Sequence, residues 1–156
     1  MTNFKNAIIL FLISMVPLIE LRGAIPVGAA MDLPFWECVS LSIIANMLPV
    51  PFIILFIRKI FDFCHKKKWF VKQINWLENR VMKKSGVVKK YEAIGLAIFV
   101  GIPLPGTGAW SGALLAALLD IRMKSALPAI LAGVVIAGIL VGGVSYGFFE
   151  FLSFIL

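Results

Sequence analysis

Glu20 and Arg22 stand two residues apart in an apolar stretch, within Pro17-Leu-Ile-Glu20-Leu-Arg22-Gly-Ala-Ile-Pro26. A second apolar stretch is interrupted by Ile102-Pro103-Leu-Pro105-Gly106-Thr107-Gly108-Ala-Trp110-Ser111-Gly112. A charge at the centre of a bilayer costs about 2.5 kcal/mol or more, so its default chemistry is that of a substrate or ion site. Pro17, Pro26, Pro103 and Pro105 remove backbone donors and break helices. Irregular backbone at membrane depth is tolerated where it lines a cavity or is buried in protein.

The planar donor fork of Arg22 suits a phosphate or carboxylate. Gly106, Thr107 and Gly108 can offer successive amides as an anion nest at the start of a returning half-helix. The hydroxyls of Thr107 and Ser111 add donors. Trp110 offers a stacking face for an isoprenoid or a sugar, or simply packs. No lysine follows these glycines in a P-loop pattern, which excludes a nucleotide loop. Glu20 is the natural proton carrier, with burial and Arg22 acting on its proton in opposite senses. Residues i and i+2 of a helix do not face each other, so a direct Glu20–Arg22 pair needs irregular backbone near Leu21. The alternative role for both charges is a permanent clamp between the two breaks.

Of 156 residues, 61% are hydrophobic and 15% charged, with a net charge of +7. So apolar a chain belongs in lipid, as a single membrane domain spanning 1–156. Eleven of the 15 Lys and Arg lie between Arg58 and Lys90, the mark of a cytoplasmic face. Their place between apolar spans excludes nucleic acid as the partner. Cys38, Cys64 and His65 make neither a metal set nor a disulfide framework, so no metal or cofactor is expected. No nucleophile–base pair points to an enzyme. Lys5 and Ala7 to Val16 resemble a signal peptide, but Glu20 and Arg22 intervene before the small residues Val27 to Ala30, so the segment is expected to stay in the fold.

Five segments must position these residues. Segment 7–31 is broken at Pro17 to Pro26, and neither part reaches the ~20 residues of a span. Segment 34–57 is long enough to cross, with a kink expected at Asn46 and Pro49-Val-Pro51. Segment 58–92 is basic. Within its bridge, 61–90, an amphipathic helix is expected from Phe70, Ile74, Leu77 and Val81, with Trp69 and Trp76 as interfacial anchors. Segment 93–119 is broken at Pro103 to Gly112, and 125–149 is a second full span. A shift of 88 positions aligns Pro17 with Pro105, Ala29 with Ala117 and Asp32 with Asp120. Repeat one is thus 5–60 and repeat two 92–150.

Paired Gly/Pro-interrupted segments in corresponding halves point to an inverted-repeat transporter. The expected fold is an all-α polytopic membrane protein. Two re-entrant hairpins, 7–31 and 93–119, enter from opposite sides, each followed by a spanning helix. This topology makes 58–92, Arg122 and Lys124 cytoplasmic and leaves both termini outside. Gly133, Gly138, Gly142, Gly143 and Gly147 allow close helix approach, within the chain or to a second copy in a homo-oligomer.

Together, Glu20-Leu-Arg-Gly-Ala-Ile-Pro26 and Pro103-Leu-Pro-Gly-Thr-Gly-Ala-Trp-Ser-Gly112 resemble the small multidrug export protein family, a compact relative of the DedA/VTT membrane proteins. The resemblance implies the dual-hairpin fold, movement of lipid carriers such as undecaprenyl phosphate, and dependence on the proton-motive force. It implies functional roles for Glu20, Arg22, Pro103, Pro105, Gly106, Thr107 and Gly108. The expectation is therefore a proton-coupled flippase for an anionic lipid carrier in a prokaryotic inner membrane. Its partners are the bilayer and that lipid, held by Arg22 and the second-break donors. The rivals are a small exporter of cationic amphiphilic drugs, with Glu20 as counter-charge, and a non-transporting membrane scaffold.

Overall fold

The computed structural model describes residues 2–17, 19–67, 92–104 and 107–155, which are helical with short connections and, among them, no strand. The helices are α1 (Thr2–Met15), α2 (Glu20–Ala30), α3 (Phe35–Met47), α4 (Val50–Lys67), α5 (Glu92–Gly101), α6 (Ala109–Leu118) and α7 (Met123–Ile155).

The first break is narrower than its prolines suggest. Pro17, lacking an N–H, ends α1, and the chain turns over residues 16–19 before α2 begins. Pro26 does not break the chain, because it lies inside α2. It removes only the bond to the Arg22 carbonyl, and burial of Leu21, Ala24, Ile25 and Gly28 around it holds the helix. The expected kink after Asn46 is a full interruption between α3 and α4. Pro49 and Pro51 leave the carbonyls of Ala45 and Met47 without helical donors there. Beyond it α4 continues to Lys67, so 61–67 prolong the helix and do not start a separate bridge. Lys and Arg are good helix formers, and the end of an apolar run is not the end of a hydrogen-bond ladder. The amphipathic helix expected at 70–81 lies outside the described residues. At 33 residues, α7 runs past both ends of the expected 125–149 and reaches about 50 Å.

Two segments, Phe35–Ile60 and Met123–Phe148, are each 26 residues long and apolar enough to cross a membrane. Phe4, Trp36, Phe52, Phe56, Val144 and Phe148 are all exposed. So much large apolar surface on the outside suits hydrocarbon and not water.

Small residues let the inner helices approach. A Cβ at Gly133 would meet the Ala97 carbonyl oxygen and the Val100 Cβ at 2.6 Å, so glycine sets the α5–α7 distance. Gly138 and Gly142 lie against Val39, Ile43 and Phe35 of α3, while a Cβ at Gly143 or Gly147 would meet nothing within 4 Å among the described residues.

The 88-residue correspondence is visible in backbone detail. Asp32 (φ 57°) and Asp120 (φ 51°) end α2 and α6 in the left-handed conformation. The Leu33 N–H donates to Gly28 O at 3.1 Å, and the Ile121 N–H donates to Ala116 O at 2.9 Å. These are the same helix-terminating bonds, 88 positions apart. Each cap is then held by the other half. The Tyr146 hydroxyl donates to Leu33 O at 2.6 Å, and Arg58 donates to Ile121 O and pairs with Asp120. Residues 58 and 146 are themselves 88 apart. Packing follows the same exchange, with α2 against α7 and α6 against α4.

Candidate functional site

Between Gly101 and Ala109 the chain must satisfy two opposite helix ends, the carbonyls of α5 and the amides of α6. Both needs are met from the first half. The Arg22 guanidinium donates to the carbonyl oxygens of Leu104, Ile102 (3.2 Å) and Val100 (3.4 Å), and to Thr107 Oγ1 at 2.8 Å. The last turn of α5 has no basic residue of its own, so Arg22 supplies the cation that the carbonyl end attracts. Thr107 Oγ1 lies 2.7 Å from Ile102 O and 2.9 Å from Leu104 O, and its single hydrogen serves one of them while its lone pair accepts from Arg22.

Glu20 serves the other end. Its own φ is 49°, a left-handed backbone at the start of α2, and its carboxylate reaches α6. Oε1 accepts the Trp110 N–H at 3.1 Å, and the Ala109 amide donates to the same carboxylate. The anion at the N-terminus of α6 is thus the chain's own side chain. Gly108, at φ 154°, abuts this carboxylate so closely that a Cβ there would overlap it. Glycine is required both for the backbone and for the approach. Ser111 Oγ donates to Gly108 O at 3.3 Å, inside the same turn.

Glu20 and Arg22 therefore do not pair with each other. They diverge from different sides of the first turn of α2 to the two ends of one break. Of the residues singled out in the sequence, Glu20, Arg22, Thr107, Gly108, Trp110 and Ser111 come together here. Pro105 and Gly106 lie outside the described residues, and Pro103 is exposed beside the break. The fork of Arg22 faces the chain's own oxygens, and the Thr107 N–H goes to Leu104 O at 3.2 Å.

Trp110 joins this cluster to a cleft of about 740 Å³. Its backbone N–H holds Glu20, while its side chain lines the cleft with Met15, Pro49, Phe52, Phe56 and Lys59. Its indole N–H is buried without a hydrogen-bond partner among the described residues. The α4 wall was not anticipated as a site. Its signal is Phe52 and Phe56, one turn apart beyond a proline interruption, which hydropathy alone reads as ordinary lipid-facing span.

A family model described as "Putative small multi-drug export protein" matches residues 20–140. The matched stretch opens at Glu20 and takes in Arg22, the whole second break and most of α7. No curated protein and no solved structure matches the chain.

Proposed function

The chain belongs to the small multi-drug export family, and from that premise we propose that it is an integral membrane exporter of amphiphilic cations driven by proton exchange. Its half-helices of 14, 11, 10 and 10 residues are each too short to cross, which supports re-entrant hairpins for α1–α2 and α5–α6. The shared caps and exchanged packing of the two halves support an inverted repeat. Placing the basic segment 58–92 in the cytoplasm puts both termini outside the inner membrane.

The observation that carries the reading is the double role of Trp110. A substrate's apolar body fills the aromatic cleft, as is usual for such ligands. Its cationic end lies toward Met15, at the carbonyl end of α1, whose last turn has no basic residue. Filling the cleft presses on Trp110 and therefore on the amide that holds Glu20. Protonation of Glu20 removes the charge that holds α6 from the other side. Substrate and proton thus act on one hydrogen bond, which couples their movements.

In proteoliposomes with an imposed pH gradient, the parent protein is expected to expel a fluorescent amphiphilic cation, and Glu20→Gln to abolish that gradient-driven efflux. Unaltered efflux in the variant would sink the proposal. Lys59 favours a second reading, the anionic carrier lipid, with the headgroup seated on its ammonium at the cleft wall. The family description and the engagement of Arg22 by carbonyls weigh against it. A thermal-shift panel in which anionic amphiphiles stabilise and cationic ones do not would reverse that order.

A further inference from the structure

We propose that Ser14, Ser42 and Asn46 form an internal water-binding path that delivers protons to Glu20, an inference that rests on the exporter reading above. All three side chains are fully buried. The hydroxyl oxygens of Ser14 and Ser42, and both the oxygen and the nitrogen of the Asn46 amide, have no hydrogen-bond partner among the described residues. Buried polar groups are normally paired, and ordered water commonly serves those that protein groups leave unsatisfied.

Their position leads to the carboxylate. Gly28 of α2 abuts both Leu10 of α1 and Cys38 of α3, so these two helices lie side by side along α2. One turn on from Leu10 is Ser14, and one turn on from Cys38 is Ser42. Two turns on from Cys38 is Asn46. Helix α2 runs the other way, and two turns back from Gly28 is Glu20. Counted from the Gly28 contact, Asn46 thus lies as many turns along α3 as Glu20 lies along α2, and the two serines lie one turn from that contact.

Packing does not demand these polar residues. The equivalent positions of the other half, 88 residues on, hold Ile102, Ile130 and Val134, and the latter two are fully buried. The same framework thus accepts aliphatic side chains at each of those two places. The half with polar residues is also the half that carries the carboxylate, since the position equivalent to Glu20 is Gly108. Charge and path occur together, and both are missing from the second half.

In the step itself a hydronium enters the file, each bound water accepts one proton and donates one onward, and the last water protonates a Glu20 carboxylate oxygen. The serine hydroxyls take part as donor and acceptor. Asn46 holds the terminal water without itself changing protonation.

The test copies the second half into the first, with the paired variant Ser42→Ile, Asn46→Val in the full chain in proteoliposomes. Counterflow exchange of a fluorescent amphiphilic cation at equal pH, which moves no net proton, is expected to stay within about twofold of the parent, while proton uptake read by a trapped pH dye falls about tenfold or more. Proton uptake close to the parent's overturns the path. If the pair does not fold, Ser42→Ala alone carries the same comparison. Water-edited solid-state NMR of the Asn46 side-chain amide in bilayers is independent of transport. A hydrated amide supports the path and a dry one overturns it. A parent that performs no exchange overturns the exporter reading, and the NMR result still judges the hydration.

Discussion

The break between α5 and α6 is closed by Arg22 at its carbonyl end and Glu20 at its amide end, whereas the equivalent positions facing the break between α1 and α2 hold Trp110 and Gly108. The two breaks differ in length, and that decides what each needs. Across the α1–α2 turn the described backbone bonds are local, with Val16 N–H to Ile13 O, and Ile19 and Glu20 N–H to Val16 O. The α5–α6 connection is longer, from 102 to 108, and beside its own turn bonds it takes a cation and an anion from α2. Freed from capping duty, the Trp110 side chain instead lines an open cleft. One backbone plan thus yields a clamped break and an accessible one.

Replacing Arg22 is the strongest way to break the comparison. Arg22→Leu removes the charged donor shared by three carbonyls and the Thr107 hydroxyl and is expected to cost about 3 kcal/mol, read as thermal unfolding in detergent. Arg22→Lys should recover only part, since an ammonium cannot fork across several carbonyls. Trp110→Phe at the equivalent position should change stability by less than about 0.5 kcal/mol, because its indole N–H has no partner among the described residues to lose. Equal losses at 22 and 110 would show that the two breaks are not differently closed.

Gly108→Ala comes next, at about 2 kcal/mol, from a strained φ and a Cβ that displaces the Glu20 carboxylate. Its sharper readout is the proton-driven efflux, which should fall with stability because the same contact is disturbed. A variant as stable as the parent would mean that Glu20 does not hold the start of α6.

The smallest effect tests the exchanged caps. Tyr146→Phe removes the 2.6 Å bond to Leu33 O and should cost about 1 kcal/mol. Arg58→Met removes the matching bond to Ile121 O. Its additional ion pair adds little, because Asp120 is 90% exposed and screened. Similar losses from the two variants would confirm that they do one job in opposite halves.

Much of the frame was legible because prolines and hydropathy act locally. Pro17, Pro103 and the pair Pro49 and Pro51 each mark a true interruption, and Asp32 and Asp120 mark two equivalent helix ends. Pro26 misled because one missing donor inside a well-packed helix is tolerable. The end of α4 misled because Arg58 and Lys59 stop an apolar run without stopping a helix. Arg22 could be recognised as a costly charge needing a partner, but its partners are carbonyls around 80 positions away, and a carbonyl leaves no mark in a sequence.

By itself, then, the order of residues determined the membrane solvent, the all-helical class and several of the places where helices stop, since each follows from apolar runs and missing donors. Only the folded arrangement decided that Glu20 and Arg22 face the second break and not each other. Only it decided that Trp110 stands between a cleft and a carboxylate, because those outcomes depend on which helix ends are brought together and left unsatisfied.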